Sequence, residues 1–377
     1  MAPAALFIAT GKPTDALTHG FLPAAARLGL DVTLLTDRPG QYTGNVVECD
    51  VTDYRAIVAA LGDGAPVFTN SDFLQAPVAL AAGYFGLPGK DWRAATRAKN
   101  KALTRRHLRA LDPVFTADAA RVPDDAPYPL VLKPREGVAS EDVFLVGDAR
   151  ELAARRAEIA ARRPDPLIVE EYLPGELHTL ETLGDGRETR VLGSFRTRLC
   201  PPPHFVEQRL EWTPPPPETP QVLEQLAALG VGFGACHTEF VVHAGRARII
   251  EVNYRLIGDH CDFLLADLLG VPLFADVLRV HLGEPLPAPV SDPGLHAVAE
   301  PVLATRGGTL VAAPDAADLD SGGVRVMYRP QRNVGDAFPL TRTNRDYLGT
   351  IRAIGTGRDA VDAAVAAFRA AHDWVVA

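Results

Sequence analysis

The sequence predicts an α/β protein built from an N-terminal parallel domain and later α+β lobes. Three observations carry this: apolar runs alternate with helical patterns at the start, β-rich segments follow one another later, and 377 residues exceed one ordinary core. Two or three packed domains suit that length.

The early alternation runs through a strand at Ala5–Ala9, a helix over Asp15–Leu28, a strand at Val32–Leu35, a helix over Asp53–Leu61, a strand at Val67–Thr69 and a helix over Phe73–Phe85. Strands separated by helices imply a parallel sheet covered on its faces. The opening Met1–Thr10 is apolar without a basic n-region, and it reads as the first strand, not a signal peptide. Thr10-Gly-Lys-Pro-Thr14 lacks the glycine a Walker loop needs five residues earlier, where Leu6 stands, so it carries no weight.

A helix is expected over Arg93–Leu111, then a strand Leu130–Lys133, a helix near Ala149–Arg162 and a strand Leu167–Glu171 that ends at Tyr172-Leu-Pro-Gly175. This stretch reads as a small mobile lobe. Thr179–Leu183, Arg190–Phe195, Thr238–Val242 and Arg248–Val252 read as antiparallel strands of a larger lobe, with extended loops at Pro201–Pro203 and Pro214–Pro217. The last ninety or so residues return to mixed α/β, with strands near Ala297–Val302 and Arg352–Ile354 and a helix at Ala360–His372. The expected division is 1–92, 93–175, 176–290 and 291–377.

Composition narrows the function classes. The apolar fraction of 47% is globular, and no apolar run approaches the ~20 residues of a membrane span, so a soluble, cytoplasmic protein is expected. A formal charge of −9 gives no support to a nucleic-acid partner. Cys49, Cys200, Cys236 and Cys261 have no metal-binding or redox spacing and read as reduced thiols. The only lysines are Lys12, Lys90, Lys99, Lys101 and Lys133.

The strongest local signal is His237-Thr-Glu239-Phe-Val-Val-His-Ala-Gly-Arg-Ala-Arg-Ile-Ile-Glu251-Val-Asn253-Tyr-Arg255. Two β-rich runs flank Gly245, which predicts a hairpin. Glu239 and Glu251 each lie six residues from that glycine, which sets their carboxylates opposite each other with Asn253 on the same face. Opposed like charges are destabilising by up to ~1 kcal/mol, so a cation between them is expected, and two carboxylates with an amide oxygen suit Mg²⁺. The same spacing also suits a plain hairpin whose acids face solvent.

Glu251-Val-Asn253-Tyr-Arg255-Leu-Ile-Gly258-Asp259 resembles the metal-binding signature of ATP-grasp enzymes, with Glu239 as the earlier metal ligand. The resemblance implies the ATP-grasp fold: an N-terminal α/β domain, a small lid lobe and a larger catalytic lobe of antiparallel sheet. It implies ATP and Mg²⁺, or Mn²⁺ in its place, with Glu239, Glu251 and Asn253 as metal ligands and Arg255 meeting an oxyanion. Lys101 and Lys133 are similar to the family's two phosphate-binding lysines, and Glu136–Val143, with Ser140, to its phosphate-covering loop. Glu170-Glu171-Tyr172-Leu173-Pro-Gly-Glu176 resembles the hinge that reads adenine through backbone groups of Glu171 to Leu173 and the ribose through Glu176. Arg255 and Lys133 are thus the implied catalytic residues, and Lys101, Lys133, Ser140, Glu170, Glu171, Tyr172, Leu173 and Glu176 the implied nucleotide-binding set.

Cys200–Glu207 is similar to a loop bordering the acceptor pocket of amino-acid ligases in this superfamily. Arg306, Arg329 and Arg332 are candidates to hold a substrate carboxylate, and His237 and His260 to assist an amine. The resemblance implies a carboxylate–amine ligase working through an acyl phosphate on amino-acid-like small molecules, with a homodimer as the default assembly. A carboxylase, an ammonia ligase and a nucleotide-binding regulatory protein stay open as alternatives.

Overall fold

The computed structural model describes residues 4–377, and the statements below refer to these; Met1, Ala2 and Pro3 of the expected first strand lie outside them. β1 (Ala4–Ala9), β2 (Leu30–Thr36), β3 (Val46–Glu48) and β4 (Val67–Phe68) form a parallel sheet in the order β3-β2-β1-β4. The crossovers are helical: a π-helical turn Ala16–Phe21 runs into α1 (Leu22–Arg27), α2 (Tyr54–Leu61) is capped by the Asp53 carboxylate, and α3 (Gln75–Tyr84) follows β4. Strand ends and the loops after them face the catalytic lobe, as in open α/β sheets generally.

The helix expected over Arg93–Leu111 is two helices, α4 (Trp92–Lys99) and α5 (Lys101–Leu108). Asn100 between them is extended (φ −98°, ψ 104°), and its side chain accepts from the Leu103 N–H at 3.2 Å. An asparagine offering that cap outcompetes continuation of the helix.

The small lobe is a four-stranded antiparallel sheet, in the order β5-β8-β6-β7, made of β5 (Thr116–Asp118), β6 (Leu130–Pro134), β7 (Phe144–Val146) and β8 (Leu167–Glu171). It is covered by α6 (Ala149–Ala160). Its core of Leu130, Leu132, Phe144, Val146, Leu152, Ile159 and Val169 is a cluster of its own. By contrast Leu6, Ile8 and Phe21 of the first domain share one cluster with Phe195, Leu264 and Leu278, so those two lobes are packed as one body.

The large sheet has nine strands: β13-β12-β9-β10-β11-β14-β19-β17-β16. These are β9 (Glu176–Asp185), β10 (Thr189–Leu199), β11 (Glu207–Thr213), β12 (Phe233–His243), β13 (Arg246–Asn253), β14 (His296–Leu303), β16 (Ala317–Ser321), β17 (Val324–Pro330) and β19 (Tyr347–Gly355). Three short strands, β15 (Gly308–Ala312), β18 (Ala337–Phe338) and β20 (Val375–Val376), pair at its rim. The portion after residue 291 adjoins the catalytic lobe through the pairing of β11 with β14 in one sheet. α7 (Thr219–Leu229), α8 (Cys261–Leu269), α9 (Leu273–His281) and α10 (Arg358–Ala371) cover it. None of the described helices is long and apolar enough to cross a membrane.

Candidate active site

A cavity of about 1220 Å³ opens between the small lobe, the catalytic sheet and the strand ends of the first domain. Its floor is the β12–β13 hairpin. The turn is Ala244-Gly245, both at positive φ (50° and 73°), so His243 pairs with Arg246 and the turn is of the primed type that matches strand twist. An unbroken ladder from that turn would set Glu239 opposite Ile250. A bulge absorbs Ile250, so Glu239 pairs with Glu251 and His237 with Asn253. The carboxylates are opposed as expected, although the route is a bulge and not symmetry about Gly245.

Glu251 Oε1 accepts from the Lys101 ammonium at 2.8 Å, with side chains 19% and 7% exposed. Burial works against the ammonium charge, but Glu251 outweighs it and raises the Lys101 pKa. Lys101 thus opens α5 and meets a carboxylate directly. His237 Nδ1 lies 2.8 Å from Glu181 and Nε2 3.6 Å from Glu239; despite burial these acids raise it to about 10. In this arrangement the two acids favour the protonated imidazolium. Asn253 is 6% exposed, and its carboxamide makes no hydrogen bond among the described residues.

Lys133, at the end of β6, and Arg105, one turn after Lys101 on α5, both hold Glu170. Lys133 Nζ is 2.7 Å from Oε2, and Arg105 Nε and Nη2 each donate at 3.0 Å. Burial alone would protonate Glu170, yet the two cations hold it at about 2. Two positive charges against one leave a surplus facing the cavity, suited to phosphate. Glu170, which also borders the cavity, anchors Lys133 there. Arg105 carries a detectable signal, its spacing of four from Lys101.

Two hinge assignments also change. Glu176 is not in the cavity wall, which takes Gly175 and Leu177; its carboxylate lies 3.7 Å from His178 and 3.8 Å from Arg196. Strand alternation turns it away. The Glu171 and Tyr172 N–H groups are spent on Phe115 and Pro129 carbonyls at 3.1 Å each. The Leu173 N–H has no acceptor among the described residues and borders the cavity with Glu171 and Tyr172.

In the loop over the cavity, Ala139 and Ser140 are left-handed (φ 58° and 56°). The amides of Val138, Ala139 and Ser140 have no protein acceptor among the described residues, a backbone arrangement that suits an anion. The Ser140 hydroxyl is corrected: it donates to the Phe205 carbonyl at 2.8 Å. Arg345 Nε donates to Glu141 at 2.7 Å, and the Asn344 N–H to the Ala139 carbonyl at 3.0 Å, so the loop lies down on the segment before β19.

The far wall comes from the first domain. Asp72 accepts from Arg255 Nε at 3.0 Å, and the Asn70 side chain from the Leu256 N–H at 3.2 Å. His260 Nε2 is 2.9 Å from Asp15. Glu207 accepts from the Tyr347 hydroxyl at 3.1 Å and is pushed up to about 8 by burial, then by Glu239 and Asp259. None of Arg306, Arg329 and Arg332 lines the cavity; Arg306 donates to the Val376 carbonyl at 2.8 Å and Arg332 to that of Arg345, whereas Arg345 itself does line it. Asp72 and Asn70 gave no sequence signal, since their partners lie more than 180 residues away.

The donor set fits a hard divalent cation: two opposed carboxylates and a free carboxamide, all oxygen. Among the described residues no group of three His, Cys, Asp or Glu is gathered as a metal cluster, and the third oxygen here is that of the Asn253 amide.

A profile of the ATP-grasp domain matches residues 98–201. The chain has the ATP-grasp fold. It superposes on the crystal structure of L-amino acid ligase from Bacillus licheniformis with a TM-score of 0.80, at 20% identity over 100% of both chains. It is 29% identical over 403 aligned positions to the uncharacterized protein y4rH of Sinorhizobium fredii, covering 95% of this chain and 80% of that one. It is 24% identical to human carnosine synthase 1 over 69% of this chain, which spans only 38% of that protein's length.

Proposed function

We propose that the protein is a magnesium- and ATP-dependent carboxylate–amine ligase acting on amino-acid-like substrates through an acyl phosphate. The observation that carries this reading is one cavity lined together by Lys133, Val138–Ser140, Arg255 and the opposed Glu239 and Glu251. The likeness to an L-amino acid ligase and to carnosine synthase 1 supports the substrate class.

Lys133 and the loop amides hold phosphates, and the Leu173 N–H meets the base. A carboxylate approaching the γ-phosphate meets like charge. Magnesium held by Glu239, Glu251 and Asn253 supplies positive charge against that repulsion. Lys101 fixes the Glu251 rotamer, and Arg255 offers N–H groups to the oxyanion of the tetrahedral intermediate when the amine attacks. The carboxylate oxygen bonds to the γ-phosphorus as ADP leaves, and collapse of the tetrahedral intermediate then breaks the acyl carbon–oxygen bond, giving amide and phosphate, with the amine proton passing to the departing phosphate. The loop lying on Asn344 and Arg345 excludes water from the acyl phosphate.

The test is magnesium-dependent phosphate release with ATP against a matrix of amino acids, other carboxylates and amines, with products weighed. ADP formation that needs both partners and a product one water lighter than their sum is expected. AMP with pyrophosphate, or nucleotide binding with no turnover across the matrix, overturns the reading.

A further inference from the structure

We propose that Asp72, contributed by the first domain, is the positioning residue for Arg255, and that the segment Asn70–Phe73 links this placement to the loop over the phosphates. The kinetic part rests on the ligase reading above.

Arg255 leaves β13 just beyond the hairpin strand, in a loop with no sheet partner of its own. An arginine there has several free torsions to fix before its fork points anywhere. The first domain removes that freedom from behind. Asp72 Oδ2 lies 3.0 Å from both Nε and Nη2, with the two side chains 18% and 10% exposed. Nη1 donates to the Leu256 carbonyl at 2.6 Å. Asn70 fixes the Leu256 N–H at 3.2 Å, so one short segment holds both the guanidinium and the backbone that follows it. A guanidinium has five N–H groups. With Nε, one Nη2 proton and one Nη1 proton turned to these partners, two N–H groups remain for an oxyanion in the cavity that Arg255 lines.

The same segment touches the loop. The Lys99 ammonium sits 4.0 Å from the centre of the Phe73 ring and donates to the Gly137 carbonyl at 3.2 Å. Asp72 therefore stands between the arginine and the base of the loop, in a segment placed by the end of β4.

The experiment uses the full chain and Asp72→Asn, which keeps the shape and removes the charge, with Asp72→Glu as a second variant. We expect kcat to fall ~10–100-fold, as for a misplaced catalytic group, while KM for ATP stays within ~2-fold. In an Arg255→Lys background Asp72→Asn should cost less than ~2-fold, because the residue acts through Arg255. A readout independent of turnover is the Nε–H resonance of Arg255 in ¹⁵N-arginine-labelled protein without substrate. It should exchange slowly in the wild type and quickly in Asp72→Asn. An unmoved Arg255 resonance, an unchanged kcat, or equal losses in both arginine backgrounds overturns the proposal. A wild type that ligates nothing defeats the ligase reading instead, and the resonance still decides whether Asp72 holds Arg255.

Discussion

The Lys101 ammonium lies 2.8 Å from the Glu251 carboxylate, across 150 residues of chain, and joins the first turn of α5 to the strand that carries the hairpin acids. This contact neutralises one of two opposed carboxylates. It also holds the Glu251 side chain in one orientation, which a cation-binding carboxylate needs.

Replacing Glu251 by alanine should cut ATP turnover by at least ~10³-fold, because the proposed metal ligand and the partner of a buried lysine are lost together. Coupled-enzyme detection of ADP, on protein shown to be folded by circular dichroism, is the measurement. Substantial turnover in a folded variant defeats the metal assignment.

Lys133→Ala should weaken magnesium–ATP binding by ~10-fold or more while the lobe stays folded, since Arg105 still satisfies Glu170. Titration calorimetry reads it. An unchanged nucleotide affinity refutes the phosphate role.

The Glu170 cluster predicts a pH dependence. The carboxyl is held at about 2, below its ordinary value of 4.5, so the folded protein binds fewer protons there than the unfolded chain. Its stabilisation is present above the unfolded value and is lost as pH falls through the window from 4.5 toward 2. The difference in unfolding free energy between the wild type and Glu170→Gln should shrink across that window in urea titrations and stay level from pH 6 to 8.

At the hinge, Gly175 has φ 139°, and an added Cβ would meet the Val242 carbonyl oxygen at 2.4 Å. Gly175→Ala should destabilise the chain by ~1–3 kcal/mol and weaken nucleotide binding, as the strand end beside Leu173 shifts. Thermal melts with and without magnesium–ADP check this; a melting temperature equal to the wild type's in both conditions counts against it.

Much of the frame was legible because it is local. The alternation before residue 92 gave the parallel sheet, and the glycine turn gave the hairpin. The helix break at Asn100 was written in a capping residue but hidden by the helical pattern on either side. Glu176 was misplaced because the motif supplies residues in order and strand alternation decides their direction. The roles of Asp72, Asn70 and Arg345 belong to tertiary contacts between lobes, which no spacing in one sequence encodes. Glu207 lay in a loop that suggested a pocket but not its neighbours Tyr347 and Asp259.

Ile250 is the extra residue that brings Glu251 opposite Glu239. One strand of the hairpin is therefore one residue longer than its partner, and a strand's side chains change face at every step. One more residue inserted between Arg246 and Ile250 would leave every acid in the gene and yet turn Glu251 away from Glu239, whereas loss of one residue there would remove the bulge and set Glu251 opposite Glu239 on an unbroken ladder. Length along the chain therefore constrains this site from one side, and a surviving lineage should tolerate exchanges there, and even loss of the bulged residue, far better than insertions.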